Sequence, residues 1–231
     1  MSRPPDDRPP RLPHGYTNAT STEPRTSSGE TTVVKRYLGP DREERLNREV
    51  RALQALAGRF PVPPLLEYDS SRIVVGYLAG VPGQELLERK PRPVLHESGR
   101  AARSLHGMDL GESYGPPREG SVLVHGDFGP QNMLFAATGQ LAALVDWEFA
   151  HLGDPIEDLA WAEWIVRTHH PHLADTLEAL FEGYGSYPAW PQRHSAMVAK
   201  CAALLAFARR WSSAAAGVWQ LRLEATEAFS E

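Results

Sequence analysis

Between Ser121 and Trp147 the chain reads SVLVHGDFGPQNMLFAATGQLAALVDW, with Asp127, Asn132 and Asp146 at the ends of short apolar runs. The segments SVLVHGD, NMLFA and LAALVDW are too short for stable helices and read as strands. The Thr138-Gly139 pair between the last two suits a hairpin turn. An antiparallel hairpin brings its open ends together, so Asn132, ahead of one strand, lands beside Asp146, at the end of the other. Any fold of this chain must therefore hold a carboxamide and a carboxylate at one strand mouth, with a second carboxylate, Asp127, a short loop away.

The rest of the sequence is organised around that hairpin. Residues 1–14 are proline-rich and charged, a composition that cannot nucleate a core, and are read as a disordered segment. Residues 15–79 read as a small strand-rich lobe. In it ETTVVKRYL is a β-branched strand carrying Lys35, and DREERLNREVRALQALAG is a helix with Leu46, Val50, Leu53 and Ala57 on one face. Asp41 is placed to cap that helix and Gly58 to end it. A further strand is expected over Ile73 to Leu78. Residues 80–231 read as a mainly helical lobe containing the hairpin. There Asp154, Pro155 and Glu157 form a capping-box start, and Met197, Cys201, Leu204, Leu205 and Ala208 recur at helical spacing. The fold class expected is α+β, in two lobes.

Composition narrows the partners. A formal charge of −5 and a pI near 6.0 give no general attraction to nucleic acid. The single cysteine, Cys201, cannot form an internal disulfide, which fits a reducing compartment. The N-terminus has no apolar core of a signal peptide, and no apolar run is long enough to span a bilayer. These features lead to the expectation of a cytoplasmic protein with no nucleic-acid or membrane partner; oligomeric state is not encoded in any visible motif.

The residue types at the hairpin match the needs of phosphoryl transfer from a nucleotide. That chemistry uses a divalent cation held by a carboxylate and a carboxamide, a cationic side chain on the phosphate oxygens, and a carboxylate for the acceptor hydroxyl. Asp146, Asn132, Lys35 and Asp127 supply one of each, and Glu49 on the following helix is suited to steady Lys35. Glu43 and Glu44 compete for that last role but are equally explained by the helix dipole.

HGDFGPQNML followed by VDWEFAHLGDPIEDLA resembles the signature of the aminoglycoside phosphotransferase and choline kinase-like family, whose fold is protein-kinase-like; the resemblance extends over about residues 15–215. It implies transfer of the γ-phosphate of ATP, with GTP also open, in the presence of Mg2+. The acceptor would be a hydroxyl of a small molecule: an aminoglycoside or other antibiotic, an amino alcohol, a sugar or a nucleoside. By the same resemblance Asp127 is the catalytic carboxylate, Asn132 and Asp146 are the metal ligands, and Lys35 meets the phosphates with Glu49 as partner. Gly76 and Leu78 offer backbone groups to the base, Thr17 and Asn18 belong to the loop over the phosphates, and His125 and Asp158 support the catalytic loop. The chain departs from the pattern in lacking a G-x-G-x-x-G run, and Gly126 stands where protein kinases carry an arginine. The stretch before His125 leaves room for about one long helix.

Two other readings stay open on the residues alone. One is a kinase-like module that binds nucleotide without catalysis; the other is a metal-dependent hydrolase built on His125, Asp127, Asp146 and His151. The six tryptophans, all in the second half, are read mostly as core, and the His169 to His172 cluster as a helix C-terminus. Glu163, Glu178 and Glu182 are either surface charges or receivers of a cationic acceptor.

Overall fold

The computed structural model describes residues 18–24, 30–114 and 120–231. The proline-rich start and Thr17 lie outside them. Four antiparallel strands form the first sheet, in the order β1-β2-β4-β3: β1 (Asn18–Pro24), β2 (Thr31–Tyr37), β3 (Leu65–Tyr68) and β4 (Arg72–Gly76). Helix α1 (Arg42–Leu56) packs on this sheet through Leu46, Val50 and Leu53, as its spacing predicts. Asp41 precedes α1 but does not cap it. Its backbone is left-handed (φ 51°) and its carboxylate pairs instead with Arg210, 169 positions away, so a distant cation outcompetes the local amides.

Strand β4 ends at Gly76, two residues earlier than expected; its last rungs set Gly76 opposite Thr32 of β2 and bond the Gly76 N–H to Pro64 O at 2.9 Å. The chain then crosses into a mainly helical part. Strand β5 (Val81–Pro82) leads to α2 (Gly83–Arg89) and α3 (Pro91–His106). Strand β6 (Val122–Val124) pairs with β9 (His151–Gly153), and β5 joins the hairpin of β7 (Met133–Phe135) and β8 (Leu141–Leu144). Gly139, at φ 87°, supplies the left-handed turn residue that the hairpin needs.

Helices α4 (Ile156–His169), α5 (Glu178–Tyr184), α6 (Trp190–Arg209) and α7 (Ser213–Glu227) complete the fold. The capping box forms as read: Asp154 Oδ1 accepts from Ile156 N–H and Glu157 Oε1 from Asp154 N–H, both at 2.9 Å. Helices α3 and α5 approach so closely that a Cβ on Gly99 would lie 2.0 Å from Leu180 O. Trp161 and Trp164 of α4 stack at 4.4 Å and pack with Met197 and Cys201 of α6. Trp147, Trp161 and Trp164 are core, whereas Trp211 is 44% exposed. Among the described residues no helix is long and apolar enough to cross a membrane.

Candidate active site

The loop leaving β6 is built backbone first. Asp158, fully buried at the start of α4, accepts from His125 N–H at 2.8 Å and Gly126 N–H at 2.9 Å, and His106 Nε2 lies 3.1 Å away. Burial pushes the Asp158 carboxyl up, but the hydrogen bond and charge of His106, with His125, outweigh it and hold the group below the ordinary carboxylate value. Gly126 (φ 78°) sits against the loop after the hairpin, where a Cβ would meet Phe149 O at 2.4 Å. The His125 ring bridges the same two loops: Nδ1 accepts from Asp127 N–H at 3.2 Å, which leaves Nε2 to donate to Val145 O at 3.0 Å. With both ring nitrogens so occupied, His125 has none to offer a metal, and His151 is paired with Glu157 at 3.1 Å. The hydrolase arrangement does not form.

Asp127 is held at both oxygens. Trp161 Nε1 donates to Oδ1 at 2.7 Å, and Asn132 Nδ2 donates to Oδ2 at 2.9 Å and to the Asp127 carbonyl at 2.8 Å. Burial, and then the charge of Asp146, push the Asp127 carboxyl above its ordinary value, against the pull of Lys200, His125 and the Trp161 hydrogen bond. Because Asn132 spends its amide N–H groups on Asp127, its Oδ1 is the atom left for a cation.

The hairpin brings the other groups to the same place. Val145 N–H donates to Asn132 O at 2.9 Å, closing the strand mouth. Asp146 follows with φ 68°, a left-handed conformation that Asp tolerates better than most residues. Its Oδ1 lies 2.5 Å from Lys35 Nζ, so Oδ2 remains for a metal. Lys35, on β2, also contacts Glu49 Oε2 at 2.6 Å and lies 3.6 Å from Glu148 Oε2. Burial opposes the Lys35 charge, yet Asp146, Glu49 and Glu148 together raise its pKa well above the usual lysine value, so it is a permanent cation. Tyr37 donates its hydroxyl to the same Glu49 oxygen and fixes that carboxylate.

Glu148 ties the first sheet to the hairpin. Its Oε2 accepts from Arg45 Nη1 at 2.8 Å and Asn18 Nδ2 at 2.9 Å. Burial, then Asp146 and Glu49, push this carboxyl up to about 7 against Lys35 and Arg45. Asn18 is thus engaged in this buried network. Among the described residues, Glu49, Asp146 and Glu148 present oxygen atoms all within 4.8 Å of one another. Glu49 and Glu148 spend these oxygens on Lys35, Tyr37, Arg45 and Asn18, so Asn132 Oδ1 and Asp146 Oδ2 are the hard oxygen donors left that would fit Mg2+.

A cleft of about 330 Å³ runs from these groups to the edge of the first sheet. Val33, Ile73, Val75 and Leu134 give it apolar walls, Gly76 and Leu78 form its rim, and Lys35, Asn132 and Asp146 close its polar end. An apolar slot with a charged end suits a base attached to phosphates. Of the residues singled out from sequence, Asp127, Asn132, Asp146, Lys35, Glu49, Gly76 and Leu78 gather around this space, with His125 and Asp158 behind it. Sequence reasoning missed Glu148, Arg45, Trp161 and Lys200; Glu148, two positions after Asp146, was the one signal within reach.

Known sequences and structures resemble this chain. The profile of the phosphotransferase enzyme family matches residues 10–123 and 112–195. Viomycin phosphotransferase of Streptomyces vinaceus is 36% identical over 73 residues, which cover 29% of this chain and 24% of that protein. The solved aminoglycoside phosphotransferase APH(4)-Ia, in ternary complex with ADP and hygromycin B, superposes with a TM-score of 0.66 at 18% identity, covering 97% of this chain and 95% of the other. A choline/ethanolamine kinase family protein from Mesorhizobium loti gives 0.64 at 18% identity, covering 97% and 89%. The macrolide 2'-phosphotransferase MphH from Brachybacterium faecium gives 0.61 at 20% identity, covering 96% and 90%. At these identities the structures speak for the shared protein-kinase-like fold, while the profile spans most of the sequence: the chain belongs to the phosphotransferase enzyme family.

Proposed function

We propose that this protein is a small-molecule kinase, moving the γ-phosphate of Mg-ATP to a hydroxyl group. The observation that carries the reading is the convergence of Asn132, Asp146 and Lys35 at the polar end of one apolar cleft, with Asp127 hydrogen-bonded to Asn132 beside it. Family membership and the ADP in the APH(4)-Ia complex support the choice of nucleotide.

In this reading Asn132 Oδ1 and Asp146 Oδ2 hold Mg2+, which when bound neutralises charge on the phosphates. Lys35, kept charged by Glu49, steadies the phosphate oxygens. Asp127, fixed by Trp161 and Asn132, orients the acceptor hydroxyl and takes its proton. The acceptor oxygen forms a bond to the γ-phosphorus, the bond from that phosphorus to the β–γ bridging oxygen breaks, and ADP leaves with the electron pair. The raised pKa of Asp127 makes it a better base than a solvated aspartate, while the rest of the rate enhancement comes from placement and charge neutralisation.

The test is a thermal-shift titration with ATP and GTP, with and without magnesium, on wild type and Asp146→Ala. Binding to the folded state raises Tm by mass action. A magnesium-dependent rise in wild type that is lost in the variant is the expected result. No rise with either nucleotide would overturn the reading. A rise unaccompanied by phosphoryl transfer to any hydroxyl acceptor would support a nucleotide-binding module without catalysis.

A further inference from the structure

We infer that Lys200 selects the acceptor, and that the site takes a hydroxyl compound carrying an anionic group close to the reacting hydroxyl, rather than a polycation. This rests on the kinase reading above and names the substrate class of the same site. Lys200 projects from α6 toward the catalytic loop. Its ammonium lies over the rings of Phe149 at 5.1 Å and Trp161 at 5.7 Å, and Trp161 is the residue that holds Asp127. In-line transfer brings the acceptor oxygen to phosphorus opposite the leaving group. The acceptor therefore meets Asp127 on the side away from the nucleotide cleft. Asp127, Phe149, Trp161 and Lys200 all lie outside the lining of that cleft, so this ammonium and its two rings approach Asp127 from outside the nucleotide slot.

The charge there lacks a dedicated partner. Among the described residues Lys200 forms no ion pair. Burial lowers its pKa, and the carboxylates that oppose this are Asp127, Asp158 and Glu157. Each has other work. Asp127 already accepts from Trp161 and Asn132, Asp158 is bonded to the loop backbone and His106, and Glu157 is paired with His151. Two ring faces compensate only part of the cost of desolvating an ammonium, so an anion entering from solvent gains a charge-assisted contact.

The same survey argues against a cationic acceptor. Glu163, a candidate receiver in the sequence, is fully buried and held by Arg193 at 2.6 Å and Arg167 at 2.8 Å. Glu182 pairs with Arg92 at 3.1 Å, on α3. A polycation reaching Asp127 would meet Lys200, and the buried Glu163 is not available to receive it.

The experiment measures acceptor-dependent ADP release, as kcat/KM, for four acceptors on one scaffold: glycerol, glycerate, glycerol 3-phosphate and serinol. Full-length wild type, K200R, K200M and K200E are compared, and magnesium-dependent ATP binding is read separately by thermal shift. In wild type, glycerate or glycerol 3-phosphate should exceed glycerol and serinol by about tenfold or more, the equivalent of one charge-assisted contact. K200R should keep that order, K200M flatten it, and K200E favour serinol; the two anions tell carboxylate from phosphate recognition. The inference is overturned if serinol matches the anions in wild type, if K200M lowers all four acceptors equally, or if an enzyme that binds Mg-ATP uses no anionic acceptor above the water background. Loss of ATP binding itself would instead overturn the kinase reading.

Discussion

Trp161 Nε1 donates a 2.7 Å hydrogen bond to Asp127 Oδ1, joining a core helix to the proposed catalytic carboxylate. This bond favours the ionised form of a group that burial and Asp146 push toward neutrality. Trp161→Phe removes it, so the Asp127 pKa rises further. Catalysis needs the carboxylate, and activity falls as pH drops through that pKa. The acid limb of the kcat/KM profile should therefore move to higher pH in the variant, with a loss of about tenfold at low pH; an unmoved limb would refute the coupling.

Asp127→Ala should lower turnover by about 10²- to 10⁴-fold, the usual range for losing a positioned base. It removes a half-buried carboxylate whose pKa is raised, so folding should not suffer, and Tm should stay near wild type. Activity close to wild type would remove Asp127 from its proposed role.

Asp158 offers a different signature. Its carboxyl is held below the ordinary value, so its stabilising contribution is complete above the unfolded pKa and is lost as pH falls through the folded one. Asp158→Asn turns one acceptor oxygen into a donor aimed at a backbone N–H, at a cost of about 3 kcal/mol. Urea denaturation at neutral pH should show this loss, and the gap between variant and wild type should close in acid.

Glu148→Ala removes the acceptor shared by Arg45 and Asn18 and one of three carboxylates around Lys35. A destabilisation of about 3 kcal/mol is expected, the scale for breaking a buried pair. Since Lys35 and Asp146 share this corner, magnesium-dependent nucleotide binding should weaken as well. Calorimetric titration with ATP checks this second effect, and affinity equal to wild type would confine Glu148 to a packing role.

The parts of the site legible in the sequence are those whose meeting is local. Asn132 and Asp146 flank a single hairpin, and Lys35 and Glu49 lie on a strand and the helix that follows it, so short connections bring them within reach, although Glu43 and Glu44 compete with Glu49 until the structure shows the pair. Asp127, Asn132 and Asp146 carried enough pattern to resemble a known family. Trp161 was legible only as core, because its apolar spacing on α4 conceals the indole N–H that reaches across 34 positions to Asp127. Lys200, between Ala199 and Cys201, looked like one polar position on an apolar helix. Asp41 shows the opposite error, a good local cap diverted by Arg210 from the far end of the chain.

Gly126 and Phe149 meet backbone to backbone, with no space for even a methyl group between them. The loop that carries Asp127 and the loop that follows Asp146 are therefore spaced by main chain, and a substitution at 126 alters the chemistry before it alters selectivity. The proposed acceptor side is different: Lys200 hangs from α6, which among the described residues gives no hydrogen bond to either loop, whereas α4 is tied to the Asp127 loop through Asp158 and Trp161. A change of diet in this enzyme would thus be a matter of repainting α6, while the junction beneath it stays as it is.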